Sequence, residues 1–131
     1  MLIEFALIGP VVIGLMLGVL QVGVALQNYN AVRSAAADAA RYAVVQYQAG
    51  NTPSDAQIET EAESIATSSP YFLKSDRLVL DVDQEATQSI AGAIEMTISA
   101  TYTPELILPF FSWKAPAMTY ERPIFVLDPT P

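Results

Sequence analysis

The residue with the clearest chemical consequence is Glu4, a carboxylate that opens a predominantly apolar run. Residues 1–26 read MLIEFALIGPVVIGLMLGVLQVGVAL, a segment long enough to cross a bilayer. An acid near the centre of a membrane helix costs about 2.5 kcal/mol or more, so it requires a cationic partner. No Lys or Arg precedes Arg33, which leaves the α-amino group of Met1, from the same chain or from an identical neighbour. The carboxylate therefore predicts assembly through packed helices; the alternative is that Glu4 lies near the membrane interface and extends to water beside the N-terminus.

The chain contains few residues of the types that carry out catalysis. The chain contains no His and no Cys, so nucleophilic catalysis would need a Ser–Lys pair or two carboxylates. Lys74 and Lys114 stand in no recognisable Ser-x-x-Lys context. We therefore expect the protein not to be an enzyme and to need no cofactor.

Two acids on one predicted strand raise the alternative of a cation site. Asp81 and Asp83 alternate onto the same strand face and, with Asp76 or Glu85, offer the oxygen ligands that calcium prefers. Their spacing matches no known calcium loop. A solvated acidic strand face is the favoured interpretation, and no metal site is predicted.

The overall charge excludes nucleic acid as a partner. Six Lys and Arg stand against 14 Asp and Glu, a formal net charge of −8, whereas nucleic-acid affinity depends on clustered cations. The apolar run also lacks the basic start and small-residue cleavage site of a signal peptide, and the cationic flank of a free-standing anchor. We expect that a basic leader has been removed before Met1.

The elements that position Glu4 begin with one long helix. Helical periodicity continues beyond the apolar run to about residue 48, and a helix over 2–48 would be about 70 Å long. Pro10 predicts a kink or a melted turn around residues 6–10. Gly14 and Gly18 form a small-xxx-small pair that permits close helix packing, although a flexible, lipid-facing helix is the alternative.

The remaining residues predict a small head. Gly50 and Asn51 are typical of a helix end, and Thr52-Pro53 predicts a capped helix over 53–67. Alternating apolar residues predict strands from residue 76, over 94–102 and over 118–127, with Pro123 either breaking the last strand or placing it at an edge. The predicted fold is α+β: a long helix at 1–49, and a head at 50–131 with one short helix and an antiparallel sheet of three or four strands.

An aromatic cluster lies in a proline-bounded loop of the head. Phe110, Phe111 and Trp113 follow several apolar residues, too many to pack under so small a sheet. Exposed aromatic clusters mark contact surfaces, so we expect this loop to contact a neighbouring head or an external surface. Packing as ordinary core is the open alternative.

The first 45 residues resemble the TadE-like, pilin-related proteins of tight-adherence (Tad) systems, which are relatives of type IV pilins. The resemblance rests on Glu4-Phe5-Ala6-Leu7, the following Pro10, and the Ala-rich segment around Ala35–Ala43. It implies a precursor whose basic leader is cut by a prepilin-type peptidase, then extraction from the inner membrane into a helical filament. In the family the glutamate usually stands at the fifth position of the mature chain, whereas in this sequence it is the fourth residue.

The sequence thus predicts a structural subunit of an extracellular Tad or type IV-like pilus, which serves adhesion or surface attachment. Residues expected at the assembly surface are Met1, Glu4, Phe5, Pro10, Gly14 and Gly18. Expected partners are identical subunits, the prepilin peptidase, the inner-membrane assembly platform and, before assembly, the membrane itself. The alternative is a minor pseudopilin, or a membrane-anchored periplasmic scaffold of the Tad secretion apparatus that does not polymerise.

Overall fold

A computed structural model of the 131-residue chain describes residues 2–107 and 115–127. Two helices are followed by a short 3-10 turn and three strands: α1 (Leu2–Gln48), α2 (Asp55–Thr67), the turn (Ser75–Arg77), β1 (Leu78–Gln84), β2 (Ala93–Tyr102) and β3 (Met118–Leu127). The predicted α+β class is confirmed, and the sheet has three strands in the order β1-β2-β3, all antiparallel.

Helix α1 is continuous from Leu2 to Gln48, including the turn that contains Pro10. Of the two expected outcomes at residues 6–10, the melted turn was therefore wrong, and the kink stays a prediction. Proline removes only its own N–H from the ladder of hydrogen bonds, and the bonds of the neighbouring turns keep the segment helical. The helix ends as predicted, because Gly50 adopts a φ of +81° and the Asn51 N–H donates to the Gln46 carbonyl at 2.9 Å.

Helix α2 begins two residues later than the sequence suggested. The cap is Ser54 and not Thr52: Ser54 accepts from the Gln57 N–H, while the Gln57 side chain accepts from the Ser54 N–H at 2.9 Å. This reciprocal pair is a capping box, which satisfies two donors instead of one. Pro53 consequently precedes the helix.

The core lies between one face of the sheet and the two helices. Helix α1 contributes small side chains, among them Ala39 and Ala43, both fully buried, and they allow a close approach to the sheet. The sheet contributes larger side chains, including Met96 and Ile98 of the central strand. The predicted apolar stripe of α1 beyond residue 28 is thus the face that the head covers.

Strand β3 is an edge strand, as Pro123 predicted. Pro123 lies opposite Thr97, and proline has no N–H to donate to a ladder. The other edge strand, β1, is protected differently: the Glu59 carboxylate of α2 accepts the Val82 N–H at 3.0 Å. This side chain of α2 therefore occupies one backbone donor of the edge strand.

Candidate functional site

The surface that the head does not cover is the first half of α1, residues 3–20. No side chain in this range is buried, and Phe5, Leu15 and Val19 are 77%, 67% and 73% exposed. The helix is long and apolar enough to span a membrane. An exposed apolar surface of this size indicates contact with lipid or with other helices.

Glu4 lies in the first turn of α1, and its side chain is exposed. A carboxylate at this end interacts favourably with the helix dipole, so the local structure tolerates the charge. Phe5 and Pro10 are also exposed on the same uncovered half. Met1, the expected source of the compensating amino group, lies outside the described residues.

The two glycines of the small-xxx-small pair face open space. A Cβ atom added at Gly14 or Gly18 would meet nothing within 4 Å. Their smallness is therefore not required by any contact among the described residues of a single subunit. Spaced four apart, the two positions lie on one side of the helix, where a second helix could approach closely.

Gln21 marks the boundary between the uncovered and the covered halves of α1. Its side-chain amide donates to the Glu105 carbonyl at 3.0 Å and accepts from the Ile107 N–H at 2.8 Å. The loop that follows β2 is thus held against the helix about 28 Å from Leu2, taking a rise of ~1.5 Å per residue. That distance is close to the thickness of a bilayer's hydrocarbon core, so the head would begin where the membrane ends.

Sequence reasoning gave Gln21 no role. The available signal was that Gln21 is the only polar residue between Phe5 and Leu26. A single amide in an apolar run has two hydrogen-bonding ends to satisfy. The sequence could not show that its partners would come from a loop more than eighty residues away.

The same loop is also fixed through Glu105, which forms ion pairs with Lys74 and, at 4.0 Å, with Arg77. The hydrogen bond and charge of Lys74, followed by the charge of Arg77, lower the pKa of Glu105. The same hydrogen bond and charge from Glu105 raise the pKa of Lys74. The aromatic residues Phe110, Phe111 and Trp113, proposed as a contact surface, lie outside the described residues.

Asp81 and Asp83 lie on the outer face of β1, as the alternation predicted, and both are exposed. The negative charge of Asp83 is the main cause of a raised pKa for Asp81. Among the described residues, no group of three or more acidic side chains could hold a metal ion. The pair is thus an acidic surface with mutual repulsion.

Comparison with known proteins adds one finding. Residues 1–41 match the model of a family described as TadE-like protein. No curated protein and no solved structure matches the chain. The matched range contains Glu4, Pro10 and both glycines of the uncovered half, and it extends into the covered half. The resemblance predicted from the sequence is confirmed over residues 1–41, where the chain is similar to the TadE-like family, a group associated with Tad pili.

Proposed function

We propose that this protein is a structural subunit of a bacterial extracellular filament of the Tad or type IV-like class. The observation that carries the proposal is the division of α1 into two halves. The half beyond residue 28 forms the core of a small head, whereas residues 3–20 project from it as a bare apolar helix. Such a helix suits the membrane before assembly and a shared, water-free core afterwards.

Glu4 sets the register of that core. In a filament its carboxylate would pair with the α-amino group of an adjacent subunit, and this ion pair would form in the water-free core only when the two helices have the correct axial offset. The open positions at Gly14 and Gly18 allow neighbouring helices to pack closely. The head then coats the outside and determines the surface that mediates adhesion. The prepilin peptidase and the inner-membrane assembly platform are the proposed partners of the precursor.

Intact-mass analysis of filaments sheared from the producing cells, compared with the membrane fraction, tests the proposal. We expect a dominant sheared species with the mass of this chain, with or without one added methyl group. Glu4→Ala should abolish the sheared species, whereas Glu85→Ala, which removes an acid from the β1–β2 loop, should leave it intact.

Retention of the chain in membranes, together with indifference to Glu4→Ala, would instead support the second role, a minor pseudopilin or an anchored scaffold. One bilayer-spanning helix is sufficient for that role. The family match at residues 1–41 agrees with both roles, so the filament measurement distinguishes them.

A further inference from the structure

Within the described residues, the three-stranded sheet has two edge strands, which lie on opposite sides of the head. Strand β2 is central, so β1 and β3 each have one unpaired side. Free strand edges are surfaces that other chains can join, and proteins usually protect them. Here the groove beside β3 contains two arginines, whereas the surface beside β1 contains several carboxylates.

The β3 edge borders a groove of about 340 Å³ against α1. We call it the basic groove and define it by Arg41, Val44, Arg122, Pro123 and Phe125. Phe125 is 47% exposed. Within the described residues Arg122 has no acidic partner, and Arg41 reaches only Asp38, at 3.9 Å. The groove therefore combines apolar side chains with two arginines, and both arginines can still form an ion pair with a carboxylate.

The β1 edge has the opposite character. We call it the acidic edge and define it by Glu59, Glu63, Val79, Asp81 and Asp83. Glu59, Glu63 and Val79 line a common depression between α2 and β1, and the charges of Asp83 and Glu59 both raise the pKa of Asp81. Val79 is 66% exposed. This surface combines crowded carboxylates with an exposed apolar side chain.

We propose that the acidic edge of one copy docks into the basic groove of the next copy. The inference rests on the proposed function, because it describes how heads pack once the helices have assembled. The two surfaces are complementary. The basic groove has arginines beside Phe125, and the acidic edge has carboxylates beside Val79. In a chain with six cations and a net charge of −8, the placement of two arginines at one groove makes a second copy's acidic surface the complementary partner.

The two surfaces differ from each other, so the contact is heterologous. A heterologous contact repeats from copy to copy and produces a ring or an open helical array rather than a closed dimer. An open array is the geometry that a filament needs. The heads would thereby reinforce the same subunit order that the α1 core establishes.

Side chains, and not an added strand, make this contact. Pro123 removes an N–H from β3, and Glu59 already occupies the Val82 N–H of β1. Both edges are thus blocked to continuous β-sheet pairing. The contact is consequently sensitive to charge, which provides its test.

The test uses two full-length variants in the producing cells: Arg41→Glu with Arg122→Glu, and Glu63→Arg with Asp83→Arg. Each variant alone should reduce the yield of sheared filaments by about tenfold or more, because like charges then face each other at every head contact. Co-expression of the two should restore filaments, since each altered surface meets an opposite charge on the other variant. A single chain carrying all four changes should also assemble.

Glu61→Arg is the matched control, because Glu61 lies on the same helix but borders the groove between α2 and α1. It should leave the yield unchanged. Normal filaments from either reversed variant alone would overturn the docking inference while leaving the filament proposal intact. Reduced yields that neither co-expression nor the fourfold exchange restores would also overturn it. Absence of filaments from the unaltered protein would contradict the proposed function itself.

Discussion

Gln21 and Ile107 are joined by a hydrogen bond from the Ile107 N–H to the Gln21 side-chain oxygen, 2.8 Å long. The Gln21 amide also donates to the Glu105 carbonyl. One side chain thus binds two backbone groups of the loop, the Glu105 carbonyl and the Ile107 N–H. This contact ties the loop after β2 to α1. It places the head directly above the apolar half of the helix.

Gln21→Ala should free this loop from the helix. Loss of two partly solvated hydrogen bonds should lower the free energy of unfolding by about 1 kcal/mol. The Ile107 amide hydrogen should exchange much faster with solvent, as measured by NMR in detergent micelles. Gln27→Ala is the control, because the Gln27 side chain makes no hydrogen bond within the described part of the chain. Unchanged protection of the Ile107 amide in Gln21→Ala would contradict the contact.

The close packing of α1 on the sheet depends on small side chains. Ala43 is fully buried in the cluster that includes Met96 and Ile124. Ala43→Leu should destabilise the head by about 1–3 kcal/mol, since a packed core accommodates extra volume only through strain. Thermal or urea unfolding measures the effect, and Ala56→Leu on the exposed face of α2 is the control. Equal stability of the two variants would show that α1 is not tightly packed at Ala43.

Acid should weaken the β1–β2 loop through Glu95. Hydrogen bonds from the Ser89 backbone N–H, at 3.0 Å, and then from the Ser89 hydroxyl, at 2.7 Å, lower the pKa of Glu95 below its ordinary value of 4.5. A pKa lowered by folding gives stability that is present above pH 4.5 and is lost as the pH falls through the folded-state pKa. The melting temperature should therefore decrease as the solution is acidified below this value.

Glu95→Gln should make this acid-induced decrease smaller, because an amide does not titrate. Glu121→Gln removes an acid from the same outer face of the sheet and serves as the control. Identical acid profiles for the unaltered protein and Glu95→Gln would rule out a contribution from this hydrogen-bonded carboxylate.

Raising the pH above 10 should weaken the contact between α1 and the segment after α2. The Tyr71 hydroxyl donates to Asp38 Oδ2 at 2.6 Å, and this hydrogen bond is the main reason that the pKa of Tyr71 is raised above 10.0. Folding thus favours the protonated phenol. The stabilisation is fully present below pH 10 and is lost as the pH rises through the folded-state pKa.

Tyr71→Phe should lower stability at neutral pH by about 1 kcal/mol, as expected for one hydrogen bond to a charged acceptor that is partly solvated. It should also reduce the loss of stability seen above pH 10. Tyr29→Phe, a change elsewhere on α1, should preserve the alkaline profile of the unaltered protein. A Tyr71→Phe variant whose alkaline profile matches that of the unaltered protein would contradict the assigned cause.

Local sequence determined the long helix, the approximate position of α2, and the strands. An apolar residue at every third or fourth position identifies a helix face, and strict alternation identifies a strand. Pro123 marked an edge because its missing N–H is a property of the residue itself. The acid, the proline and the Ala-rich continuation in residues 1–41 were likewise sufficient to indicate the family.

Tertiary structure decided which elements meet. Periodicity shows that a face is apolar but not what covers it. The sequence therefore could not predict that Gln21 contacts a loop 86 residues away, or that Glu59 contacts Val82. The grouping of Arg41 with Arg122 at one edge, and of Glu59 with Asp81 at the other, has the same origin. Each group comes from elements distant in the chain, and only the folding of the sheet onto the two helices brings its charges onto one surface.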